Sequence, residues 1–308
     1  MVSDCSLFRR SRVKRAKMST ELTEEQIKHI LQGIKIPPQP QILVDIQIEQ
    51  IMPDPDIAQI AALISQDVGL SGTILKFVNS PLFGLSNKIT SIAQAVSLLG
   101  TTSVVNIING ISIKGEMTDE TIVELTRFWD TANDISSIAA NIAKKVGYHS
   151  PDEAYMLGLF HNCGIPLMLA RFRDYMNVIE EAYGEPEKRI TETENLHYNT
   201  NHSVVGYYTA KSWNLPRHIC EAIAEHHSAE SVFENKDGRN PDKKTLLAIL
   251  KTAEHLCGSF HVFGNQTTDF EWLRLENDVL EFLGLSLYDL NDMRDSFAEM
   301  GINVYLPK

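Results

Sequence analysis

The chain is poor in cysteine: four in 308 residues, at positions 5, 163, 220 and 257, with no Cys-x-x-Cys pair among them. That pattern is not the one of a disulfide framework or a zinc ribbon. It fits buried thiols in a reduced, soluble cytoplasmic protein. Several enzyme signatures are missing as well. There is no G-x-x-x-x-G-K-[ST] loop, no dinucleotide-binding glycine pattern, no G-x-S-x-G elbow and no H-E-x-x-H helix. P-loop enzymes, Rossmann dehydrogenases, elbow-type serine hydrolases and zincin proteases are thereby set aside. No convincing run of alternating apolar and polar residues occurs, so strands are not expected. The apolar stretch 154–172 has the length of a membrane span. It contains His161, Asn162, Pro166 and Arg171, which suit a protein core and not lipid.

Positive charge is scarce outside one place. In residues 1–17, Arg9, Arg10, Arg12, Lys14, Arg15 and Lys17 face only Asp4, a local charge of +5. With a total of −12, the chain from Met18 onward therefore carries −17. Such an acidic body argues against a nucleic-acid surface, which needs clustered Lys and Arg to displace counterions. The basic leader has three readings: a disordered tail for anionic surfaces, a targeting segment, or an extension upstream of a true start at Met18. It lacks the apolar core of a signal peptide, and we favour the third.

What remains is an ordinary core-forming composition, 43% apolar and 22% charged, enough for one large or two modest domains. Nearly every segment has a period near 3.6. Thr23 to Gln26 is a capping box, Pro37-Pro38-Gln39-Pro40 a stiff connector, and Asp54-Pro55-Asp56 a helix start for Ile57, Ile60, Ala61 and Ile64. A helix with Leu70, Ile74, Phe77 and Val78 ends at Asn79-Ser80-Pro81. Ser91 to Gln94 opens another that closes at Gly100, and one follows through Val104–Ile113. Residues 118–146 read as one long helix or two. Ser150-Pro151-Asp152-Glu153 starts the helix that runs into His161, before a sharp turn at Gly164 and Pro166. Further helices are expected near 173–183, 187–197, 202–212, 216–227, 242–257, 270–283 and 286–298, with Ser231–Asp242 the clearest loop.

The polar residues of interest sit at ends or inner faces of these helices: His161-Asn162, His202, His226-His227 and Glu254-His255. Taken singly, each histidine is most simply a core or surface residue. Taken in order, three of them fall at the ends of successive apolar helices, where a bundle could bring them together. Adjacent helical residues point about 100° apart, so only one of His226 and His227 is expected to face a shared site. Glu180, Glu181, Glu185, Glu187, Glu192 and Glu194 read as a solvated face, and Arg171 and Arg173 as helix-end surface groups.

Seven segments carry a resemblance. They are Gln66 to Leu70, Asn79-Ser-Pro-Leu-Phe-Gly84, Ile89 to Gly100, Gly158-Leu-Phe-His-Asn-Cys-Gly164, His202 to Gly206, Trp213-Asn-Leu-Pro216 and Ala222 to His227. In order and spacing they resemble the HDOD family, a branch of the HD metal-dependent phosphohydrolase superfamily, over residues 36–230. The resemblance implies an all-α, HD-domain-like multi-helix bundle. An N-terminal helical lobe would span about 21–115 and the bundle about 118–260, with helices in 261–308 packing on it. Carried across, the superfamily's metal ligands fare badly. The first histidine falls near Thr131, the signature aspartate at Asn162 and the final aspartate at Glu254. His161, His202 and His226 or His227 survive. Asn162 keeps the shape of an aspartate but loses its charge and most of its metal affinity. The Gly-Tyr-Pro motif of the cyclic-di-GMP phosphodiesterase branch is also missing, since Asp237 to Pro241 holds no tyrosine.

The expectation is a non-catalytic bacterial regulatory module with no cofactor beyond adventitious divalent metal. It would act through signalling proteins or a small phosphorylated ligand in a cleft lined by His161, Asn162, His202, His226 and His227, without nucleic acid or membrane. The rival is a residual metal-dependent phosphohydrolase using His161, His202, His226 and Glu254. A third possibility is a structural scaffold that binds no ligand.

Overall fold

Pro37, Pro38 and Pro40 cannot continue a helix, and a tryptophan far along the chain fixes the extended segment they form. In the computed structural model, which describes residues 24–80, 83–86, 88–115, 122–234 and 240–306, the Trp213 indole donates to the Pro37 carbonyl at 2.9 Å. Gln39 donates to the Trp213 carbonyl at 3.2 Å. Trp213 is fully buried, edge-on to Phe160.

Among the described residues all regular structure is helical and there is no strand. The N-terminal lobe contains α1 (Glu24–Ile30), α2 (Gln41–Gln50), α3 (Ile57–Ser65), α4 (Val68–Val78), α5 (Ile92–Leu99) and α6 (Thr101–Gly115). The caps here are made by short polar side chains: Asp56 accepts from the Ala58 N–H, Asp67 from Leu70 and Ser91 from Gln94. Asn79 explains the Asn-Ser-Pro segment. Its amide donates to the Leu75 and Ile89 carbonyls and accepts from the Ile89 N–H, tying the end of α4 to the entry of α5. Residues 1–17, Thr23, Pro81 and Leu82 lie outside the described residues.

Several local expectations need correction. Helix α2 was not expected; Pro40 gives it no side-chain cap. Burial of Leu43 and Ile46 holds it instead, and such tertiary packing leaves little local trace. The cap of α3 is Asp56, so Pro55 precedes the helix and does not open it.

The bundle follows with α7 (Ile122–Lys145), α8 (Pro151–Phe160), α9 (Gly164–Arg171), α10 (Tyr175–Tyr183), α11 (Ile190–Tyr198), α12 (His202–Ser212), α13 (Arg217–Glu225), α14 (Ala229–Glu234) and α15 (Pro241–Cys257). Then come α16 (Ser259–Gly264), α17 (Phe270–Leu283) and α18 (Leu287–Glu299). The expected turn at Gly164 and Pro166 is helical from Gly164 onward, because proline is tolerated in a first turn. Part of the expected 231–242 loop is also helical, since α14 runs to Glu234. Residues 235–239 lie outside the described residues.

Two glycines set the spacing around the site. A Cβ on Gly158 would meet the Ser136 Cα at 2.6 Å, so its absence lets α8 lie against α7. A Cβ on Gly164 would collide with the His202 carbonyl, which seats α12 on the start of α9. The long apolar stretch is thus two helices broken at His161–Cys163. Among the described residues no single helix is long and apolar enough to cross a membrane.

Candidate functional site

Each histidine of interest is placed by a helix end. His161 caps the C-terminus of α8, and His202 opens α12 behind Asn201, whose side chain accepts from the Val204 N–H. His226 and His227 lie in a 3-10 turn, His226–Ser228, that tightens the end of α13. All four rings are buried, with at most 2% of each residue exposed. The structure brings His161, Asn162, His202, His226, His227 and Glu254 together. The expectation that only one of the paired histidines faces inward is corrected. The helix stops before His226, and the two rings lie 4.1 Å apart, tilted by 43°.

The hydrogen bonds fix the tautomers. His161 Nδ1 lies 2.8 Å from the Gly158 carbonyl and His226 Nδ1 2.7 Å from the Ile223 carbonyl. A carbonyl only accepts, so both Nδ1 atoms carry the proton. His202 Nδ1 donates to Glu194 at 2.7 Å, and His227 Nδ1 to both Glu271 oxygens at 3.0 and 3.1 Å. All four outward nitrogens are therefore committed, and four Nε2 atoms remain facing inward. His202 Nε2 lies 3.3 Å from His226 Nε2, which is also 3.2 Å from Asn162 Oδ1. His161 Nε2 and His227 Nε2 are buried without a hydrogen-bond partner. Burial, followed by the neighbouring charges of His227 and Lys251, drives His226 well below the ordinary histidine range. Burial and Lys251 do the same to His227.

The carboxylates complete the picture. Glu194 is fully buried, not on a solvated face as expected; it also accepts from the His202 N–H at 3.2 Å and the Tyr175 hydroxyl at 2.5 Å. Glu254 Oε1 lies 3.4 Å from His161 Nε2, and its other oxygen pairs with the buried Lys251 ammonium at 2.8 Å. Lys251 also reaches Glu271 at 3.1 Å. Burial opposes the charge on Lys251, but the two carboxylates outweigh it and hold the ammonium protonated. Burial likewise works against the Glu254 charge; Lys251 overcomes it and keeps that carboxyl well below its usual range. Glu271 is pushed up, because burial exceeds the relief from Lys251.

Glu194, Lys251 and Glu271 were not anticipated. Only Lys251 left a signal, its i,i+3 spacing to Glu254 on α15. Other residues stand apart. Thr131 donates to the Arg127 carbonyl of its own helix at 2.8 Å. Arg171 bonds the Gln32 carbonyl, and His255 pairs with Asp269 and stacks on Trp272.

A bundle that gathers histidines from helix ends around an inward carboxylate is the architecture of the HD metal-dependent phosphohydrolases. The sequence profile of the HDOD domain matches residues 36–229, and the chain belongs to that family. It is 29% identical over 194 residues to an uncharacterised protein of Treponema pallidum (strain Nichols), a match covering 63% of this chain and 38% of that protein. In solved structures it is similar to an HDOD domain protein of unknown function from Geobacter sulfurreducens, at 22% identity and a TM-score of 0.61, over 89% of this chain and 93% of that one. A candidate phosphohydrolase from Shewanella amazonensis SB2B gives 18% and 0.59, over 90% and 93% of the two chains. A candidate signal transduction protein from Marinobacter aquaeolei VT8 gives 18% and 0.54, over 90% of this chain but 64% of that one.

The residues present do not fit the metal pair of the superfamily. Asn162 offers no bridging charge, Thr131 is bonded to its own helix, and Glu254 is neutralised by Lys251. The Lys251 ammonium already balances the Glu254 and Glu271 carboxylates.

Proposed function

We propose that this chain is a non-catalytic regulatory module of the HDOD type, acting through protein partners. The observation that carries the reading is Lys251. Its buried ammonium bridges Glu254 and Glu271, the carboxylates nearest the histidines on that side. Two-metal hydrolysis needs cations there to activate water and clamp the leaving oxygen, and a lysine supplies neither function. Enclosure supports the same reading: His161, Asn162, His202, His226, His227 and Glu254 are each at most 5% exposed. The description of the Marinobacter protein agrees with a signalling role. Exposed Ile48, Ile51, Met52 and Ile57, at the turn from α2 into α3, offer apolar contact area for a partner.

Turnover of a generic phosphate ester with manganese tests the reading. Rates at the no-enzyme level, identical in the wild type and in His161→Ala, are expected. Turnover that His161→Ala abolishes would establish a residual phosphohydrolase instead.

A further inference from the structure

The histidine centre does not account for a cleft of about 480 Å³ where the lobe, the bundle and the C-terminal segment meet. That volume lies within the range of small-molecule sites. Its walls come from α4, α7, α8 and the segment that follows α18. The segment is a pinned wall. The Tyr305 N–H donates to the Leu256 carbonyl at 2.8 Å, and the Tyr305 ring packs edge-on to Phe260. A Cβ on Gly258 would collide with Tyr305, so its absence leaves the ring its place.

The chemistry of the lining is one-sided. Asp130, Asp134, Ser137 and Asn141 share a face of α7, opposite buried Phe128, Ile135 and Ile142. Ser137 spends its hydroxyl proton on the Asn133 carbonyl at 2.9 Å, and Asn141 an amide proton on the Ser137 carbonyl at 2.8 Å. The α7 wall therefore meets the cleft mainly with acceptors. Burial pushes the half-buried Asp134 carboxyl up, and the Asn303 amide, donating at 2.9 Å, offsets that only in part. Asp130 adds to the rise and Lys76 opposes it. Lys76, on α4, is the one cation among the described lining residues. Phe77 and Tyr155, edge to face at 4.6 Å, give the cleft an aromatic floor.

Each feature selects part of a ligand. A wall of acceptors asks for an ammonium, which donates three hydrogen bonds. A single lysine asks for one carboxylate. Two carboxylates against one ammonium disfavour a phosphate, with its greater negative charge. Among the described residues Asp130 and Asp134 belong to no gathered set of metal donors. The aromatic floor asks for an apolar side chain.

We propose that this cleft binds a free α-amino acid with an apolar side chain. Its ammonium meets Asp130 and Asp134, its carboxylate Lys76, and its side chain Phe77 and Tyr155. Because the walls come from both halves of the molecule, occupancy strengthens the contact between lobe and bundle. This inference goes beyond the regulatory reading and does not rest on it.

Calorimetric titration of the full-length chain with L-phenylalanine, L-leucine and L-methionine is the test. At least one is expected to bind, and to raise the melting temperature as a ligand of the folded state does. Its N-acetyl form lacks the ammonium and its decarboxylated form lacks the carboxylate. Both are expected to bind roughly tenfold more weakly, or worse. Asp134→Asn and Lys76→Met should each weaken the parent amino acid by a similar factor. The analogue series uses wild-type protein throughout, so it decides the matter even where a variant misfolds. No binding by any of the three amino acids would overturn the proposal. So would analogues that bind as tightly as the parent, or binding unchanged in both variants. The regulatory reading survives each of these results, because phosphate-ester turnover tests it separately.

Discussion

The two halves of this molecule solve the same packing problem with different chemistry. Helices α2 to α5 bury Leu43, Ile46, Ile60, Ile64, Ile74, Val78 and Val96, with no charged side chain among them. The centre of the bundle buries His161, Glu194, His202, His226, His227, Lys251 and Glu254. Apolar side chains of similar volume commonly serve stability as well as a buried ion pair, or better. Stability alone does not account for the polar centre. Its charges are arranged, each imidazole oriented by an acceptor and each inner carboxylate matched by Lys251 or a histidine.

The largest expected effect comes from breaking that match. Lys251→Met leaves Glu254 and Glu271 without their cation and should cost about 3–5 kcal/mol of stability. Chemical denaturation of the variant measures it. Ile60→Val in the lobe should cost only about 0.5–1.5 kcal/mol, the ordinary penalty of a lost methylene. Equal costs at the two positions would erase the distinction between the cores.

A smaller loss is expected at Gly164. Gly164→Ala drives a methyl group into the His202 carbonyl and should cost about 1–3 kcal/mol, read as a drop in denaturation midpoint with an unchanged slope. Glu194→Gln should fall at the lower end of that range. The amide still accepts from Tyr175, but it no longer answers His202 with a charge.

The smallest effect sits at the rim and depends on pH. His218 donates to Glu153 at 3.1 Å. That bond raises His218 above its ordinary 6.5; burial would raise Glu153, but His218 outweighs it and lowers the carboxyl below 4.5. The histidine's contribution is complete below pH 6.5 and fades as pH rises through its raised value. The carboxylate's contribution is complete above 4.5 and fades as pH falls through its lowered one. The melting temperature of His218→Gln should therefore trail the wild type most between those two values and converge with it in alkaline buffer. A constant difference at every pH would assign the loss to packing.

Most helices were legible from the sequence because their starts are written in local chemistry, as at Asp56 and Ser91. Helix α2 was not, because Pro40 gives no cap signal and the helix depends on partners distant in sequence. At the site, motif order found the four histidines, Asn162 and Glu254. It missed Glu194 and Glu271, which reach the imidazoles from 8 and 44 residues away and look like surface acids in the sequence. The pairing of His226 with His227 was misjudged because helix geometry was extended across a turn where the helix had ended.

Anomalous diffraction at the zinc absorption edge, from crystals grown without chelator, tests the loss of two-metal binding most directly. The expected map has no anomalous density between His161 and Glu254, where the Lys251 ammonium holds the carboxylate. A pair of peaks flanking Asn162 would contradict it, since that would mean the asparagine had not ended two-metal binding.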